Sequence, residues 1–155
     1  MSYIRFFSSE SVSAGHPDKL CDCISDSILD ACLTADPGAR VAVEAFVKGL
    51  DPDSRDPPYN FIVIGGEITL VEGCLIDYEG IARQTAADIG YTSVDVGMDA
   101  TSKEDCKVTV LVTQQSDDIS QGVTMGEGLH TEQGAGDQGI MFGFATNESE
   151  SYPSL

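Results

Sequence analysis

His16, Asp18 and Lys19 crowd into one run, GHPDK at residues 15–19, directly after Ser13 and Ala14. An imidazole, a carboxylate and an ammonium in the first turn of a helix can act on phosphate. The helix start attracts the anion, the carboxylate can hold Mg2+, and the imidazole and ammonium can stabilise anionic oxygens. The same residues also make a sound helix entry, with Pro17 at the first helical position and Asp18 complementing the helix dipole. Glu44 and Glu67 are the next candidates. Each stands inside otherwise apolar, strand-like sequence, where a lone carboxylate is costly and needs a cation, a salt bridge or a donor. Asp137 lies in GAGDQG at 134–139, formally the G-x-G-x-x-G of dinucleotide sites. That reading fails, because a polar loop precedes the run and too few residues follow for the acidic partner about 20 positions on. A plain glycine turn, or backbone packed closely on a ligand, remains.

The elements that must position these residues are legible in outline. YIRFFSS at 3–9 reads as a short strand, and 16–34 as a helix with Leu20, Ile24, Ile28 and Ala31 at helical spacing, Cys32 widening the stripe, and Asp22, Asp26 and Asp30 opposite. DPG at 36–38 stops that helix. RVAVEAFVK at 40–48 alternates, with Val41, Val43, Ala45 and Val47 on one face and Ala42, Glu44 and Phe46 on the other. A long polar connection at 49–60 leads to the strand FIVIGGEITL at 61–70, whose Gly65-Gly66 pair predicts a bulge or a close backbone approach. A second helix is expected over 77–89, capped by Asp77 and ended by Gly90, with Ile81, Thr85 and Ile89 inward, and a last strand over 106–114. The order β, α, β, β, α, β predicts an α/β fold of the α+β type: a two-layer sandwich with helices on one face of a mixed sheet. Residues 1–115 form the expected domain, the glycine-rich stretch 116–139 a mobile loop, and 140–155 the start of a further unit.

Charge narrows the partners. With 26 acidic against 8 basic side chains and a formal charge of −18, the chain offers no surface for nucleic acid or an anionic membrane. An anionic ligand would need divalent cations or basic groups from elsewhere. The five cysteines, at 21, 23, 32, 74 and 106, form no C-x-x-C pair and read as reduced thiols of a cytoplasmic protein. Zinc is disfavoured, since Cys21 and Cys23 fall on a helix with only His16 and His130 as possible partners. No apolar run approaches the 18 or so residues that span a bilayer.

Taken in order, SESVSAGHPDK, DPGARVAVEAFVK, GGEIT, QSDDISQGV and GAGDQGIMFGFATNE are similar to successive motifs of the S-adenosylmethionine synthetases, or methionine adenosyltransferases, over that family's amino-terminal third. The resemblance implies synthesis of S-adenosylmethionine from ATP and L-methionine with Mg2+ and K+. It implies His16 and Lys19 as catalytic groups, with His16 on the polyphosphate, and Asp18 and Glu10 as Mg2+ ligands. Glu44 would serve K+, and Glu67, Gln115 and Asp137 the substrates. It further implies a gate over about 115–127, three interwoven β-α-β-β-α-β units, and active sites shared between subunits of a homodimer or a dimer of dimers. The chain departs from the family at the longer 49–60 connection, in the expanded TSKEDCK, and at Asp117, where proline is usual. The family's polyphosphate-binding lysines and arginine come from later segments, so the piece alone is expected to be poorly active or inactive. A non-catalytic nucleotide- or methionine-binding partner of a longer subunit, and a cation-binding acidic module built on DPDSRD, are the competing readings.

Overall fold

The computed structural model describes residues 8, 10–49, 60–114, 138–141 and 143. The strand expected at 3–9, apart from residue 8, and most of 49–60 and 116–139 lie outside these residues. The chain divides into two units, Met1–Gln115 and Ser116–Leu155, and every element below belongs to the first.

Helix α1, Pro17–Ala35, opens on His16, which has the extended backbone that a following proline demands. Leu20, Ile24, Ile28 and Cys32 are fully buried, while Asp22, Asp26 and Asp30 face outward. Asp36 ends the helix: its N–H donates to the Cys32 carbonyl at 2.8 Å. Its carboxylate accepts from the Gly38 N–H at 2.9 Å and the Val71 N–H at 2.8 Å, tying the turn to chain far along the sequence.

Strand β1, Arg40–Lys48, pairs antiparallel with β2, Asn60–Thr69. Beyond β2, helix α2, Tyr78–Ile89, crosses over to β5, Cys106–Thr113, which lies parallel to β2, the connection that a parallel pair requires. The sheet order is β1-β2-β5, so β2 is central. One sheet face carries Val47, Ile62, Ile64 and Ile68 into a single core with the buried stripe of α1 and with Ala82 and Ala86 of α2. Both helices therefore cover the same face of a mixed sheet, the two-layer α+β sandwich expected from the element order.

Three local expectations change. The innermost stripe of α2 is Ala82 and Ala86, and Ile81, Thr85 and Ile89 are only partly buried, because α2 packs closely against α1 as well as against β5, which favours the smallest side chains. No bulge occurs at Gly65-Gly66: pairing runs unbroken from Arg40 opposite Thr69 to Lys48 opposite Phe61. The close approach at Gly66 is made by β1 itself. Between α2 and β5 the chain also forms an unanticipated antiparallel pair, β3 (Thr92–Ser93) and β4 (Met98–Asp99), around a 3-10 turn at Val94–Val96.

Arg83 locks this segment to α2. Its guanidinium donates to the carbonyls of Ala100 at 2.8 Å and Cys106 at 3.0 Å, and to the Glu79 carboxylate at 2.9 Å. The hydrogen bond from Arg83 holds the Glu79 carboxyl below the usual glutamate range. A group with a depressed folded pKa contributes stability that is present above its unfolded value and lost as pH falls through the folded one. Stability should therefore drop on acidification below about pH 4.3, and Glu79→Gln should flatten that part of the profile in urea titrations; an unchanged slope would show that the ion pair carries no linkage.

All five cysteines are free, and burial pushes the thiols of Cys21, Cys32 and Cys106 upward, so at neutral pH these three are protonated. Among the described residues no helix is long and apolar enough to cross a membrane.

Candidate functional site

The sequence candidates fall into two groups on opposite sides of the sheet. The first is the entry of α1. The Asp18 N–H donates to Nδ1 of His16 at 3.2 Å, satisfying one of the backbone donors that every helix start leaves open. Because Nδ1 accepts, the proton of the neutral ring sits on Nε2, which remains available as a donor. The Asp18 side chain is 90% exposed, with its carboxylate 4.0 Å from Nδ1 of His16. Lys19 does not join them: its ammonium bonds Asp22 at 3.0 Å, and that bond raises its pKa. Glu10 is exposed on the lead-in.

The second group lies on the sheet face away from the helices. Glu44 is opposite Gly65 in the ladder, and Glu67 is opposite Ala42, so the two carboxylates are diagonal neighbours on one face of the sheet. Gly65, between them, has no side chain, and an open concavity of about 560 Å³ lies over this region, bordered by Glu44, Phe46, Val63 and Gly65. Glu44 is exposed rather than enclosed by apolar side chains, because the outer face has no second layer among the described residues; Glu67 is half-buried. The same face leaves Phe46 at 59% and Leu111 at 61% exposure, with Phe46 stacked 6.0 Å from Phe61. Gln115 and Asp137 lie outside the described residues.

Among the described residues no group of three or more His, Cys, Asp and Glu side chains is arranged to hold a metal ion. Mg2+ does not require such a cage: it usually binds one or two carboxylates plus substrate phosphates and keeps several waters. The exposed Asp18 carboxylate at a helix start fits that mode, since the positive end of the helix dipole favours a phosphate beside it.

Sequence reasoning passed over Tyr91, whose hydroxyl donates to the Gly15 carbonyl beside His16. The available signal was its place directly after Gly90. The Gly90 N–H bonds the Ala87 carbonyl and the Tyr91 N–H bonds the Ala86 carbonyl, each at 3.0 Å. That is the helix ending in which the second residue beyond the helix packs back on the protein.

Residues 4–117 match the family described as S-adenosylmethionine synthetase, N-terminal domain. The chain is 47% identical over 156 aligned residues to a protein of Brachyspira hyodysenteriae named S-adenosylmethionine synthase, covering 97% of this chain and 36% of that protein. It is 51% identical over 149 residues to a protein of the same name from Sorangium cellulosum, covering 96% of this chain and 32% of the relative. The chain thus spans about a third of the length of these curated relatives.

Proposed function

Because the chain belongs to the S-adenosylmethionine synthetase family, we propose that it is the substrate-recognising amino-terminal part of a transferase that makes S-adenosylmethionine from ATP and L-methionine. The methionine sulfur attacks C5′ of ATP; the sulfur lone pair forms the new S–C5′ bond, and the C5′–O bond breaks with its electrons leaving on tripolyphosphate. Water then cleaves tripolyphosphate to pyrophosphate and phosphate. Residues 1–115 are the domain, 116–139 the glycine-rich gating loop with the GAGDQG motif, and 140–155 the beginning of the next unit.

The observation that carries this reading is the entry of α1. His16, whose Nδ1 is engaged by its own cap so that Nε2–H is left to donate, would donate to the oxygen leaving C5′, while the positive end of the α1 dipole favours the same anion. Asp18 and Glu10 would hold Mg2+, which when bound neutralises charge on the departing polyphosphate. Glu67 accepts from the methionine ammonium, Glu44 contributes a carboxylate to a K+ site, Gln115 and Asp137 complete the substrate contacts, and Lys19 adds positive charge near the polyphosphate. The α1 entry and the glutamate pair occupy opposite faces of the sheet. One copy therefore cannot readily present both to a single substrate pair, which supports a site shared by two copies, in a homodimer or a dimer of dimers.

Calorimetric titration with inorganic tripolyphosphate and Mg2+ tests the seat. His16→Ala should weaken binding about tenfold, the effect of losing one charge-assisted hydrogen bond; equal affinity in the two proteins would sink the assignment. Supplying ATP, methionine and K+ and following S-adenosylmethionine by mass spectrometry separates roles. Product lost in the variant would place the chemistry in this chain, whereas binding without product would assign it recognition alone.

A further inference from the structure

We propose that Tyr91 is a positioning residue for His16, an inference that rests on the polyphosphate seat proposed above. The lead-in to α1, residues 10–15, is exposed and outside any helix or strand. Its local ties are short-range: the His16 N–H donates to the Ser13 carbonyl at 3.0 Å, and the Leu20 N–H to the His16 carbonyl at 2.9 Å. Those bonds shape the turn but do not fix where it sits on the domain. The Tyr91 hydroxyl does, by donating to the Gly15 carbonyl across 76 positions of sequence.

Tyr91 is itself held on three sides. Its N–H bonds the Ala86 carbonyl at the end of α2, its carbonyl accepts from the Ala100 N–H at 3.0 Å, and its ring packs against the core. Packing holds the first turn through the buried Leu20, but a cavity of about 260 Å³ lies among Pro17, Leu20, Val47, Tyr91 and Met98, so the exposed residues before the helix gain little from it. The hydroxyl is therefore a direct link from the rigid frame to the residue before the histidine. It thereby sets where the capped His16 ring, and with it Nε2, sits on the domain.

Tyr91→Phe removes the hydroxyl and keeps the ring. In the ligand-free chain, amide exchange at His16 and Asp18 should accelerate about fivefold, the change expected for one lost hydrogen bond, with exchange at Ile24 and Ile28 unchanged. The imidazole 15N spectrum, read at one pH where both rings are neutral, should show His16 shifting from the Nε2–H tautomer toward a mixture while His130 stays constant. Affinity for Mg2+ with inorganic tripolyphosphate should fall by a similar factor. Unchanged exchange and tautomer in Tyr91→Phe would overturn the proposal, as would a variant that fails to fold, which would make the hydroxyl a core element. If wild type and His16→Ala bind tripolyphosphate equally, the seat is refuted instead, and the two ligand-free readouts still decide the role of Tyr91.

Discussion

Gly66→Ala should lower the unfolding free energy by about 3 kcal/mol or more, whereas Gly65→Ala, one residue away, should change it by less than about 1 kcal/mol. Gly66 has φ +138°, a conformation L side chains rarely adopt, and an added Cβ would stand 2.1 Å from the Ala42 carbonyl oxygen of the neighbouring strand. The obstacle is paired backbone, which cannot swing aside as a side-chain tip can, so relief means parting β1 from β2 opposite Val43. Gly65 has no such neighbour within 4 Å and no unusual backbone. Urea midpoints for the two variants decide the matter; equal midpoints would mean that β1 can retreat at Ala42 without loss of pairing.

Arg83→Ala should cost about 3 kcal/mol, and Arg83→Lys should recover little of it. The Arg83 side chain is 13% exposed and donates to the carbonyls of Ala100 and Cys106, with Ser102 a longer third at 3.4 Å, while its Nε holds Glu79. Truncation leaves those acceptors without their donor in a partly closed space, a larger loss than the bonds themselves. Lysine lacks the planar fork that reaches both carbonyls at once. Hydrogen exchange should localise the damage to residues 98–106, with α1 unaffected; a loss spread evenly over the domain would indicate a different cause.

Much of the architecture could be read from sequence because its signals are local. His16-Pro17 and DPG bracket α1, Asp77 and Gly90 bracket α2, and the alternation of RVAVEAFVK gives both faces of β1. What escaped depended on neighbours remote in sequence. Ala82 and Ala86 carry too little hydrophobic weight to mark an inner stripe, and only the close approach of α1 and the sheet makes them the buried ones. Glu44 looks enclosed in its strand, yet burial of a strand residue depends on whether a second layer covers its face, which alternation does not encode. The Gly65-Gly66 pair announced a close approach but not its source. The helix entry was the most readable part of the candidate site, since cap and chemistry use the same residues; Tyr91 was the least, because its role exists only once the chain has folded back over 76 positions.

The central place of β2 has a kinetic side. β1 and β2 are sequential and antiparallel, so they can zip together by a connection that closes on itself. The parallel bond to β5 must wait until α2 has been laid down and the chain has returned, a closure over a much longer loop. During synthesis from the amino terminus, the hairpin would therefore emerge with one side of β2 unfilled until Thr113 has left the ribosome. For that interval the apolar run Ile62, Val63 and Ile64 is an open template for any extended segment nearby, which makes the speed at which α2 docks a safeguard against mispairing.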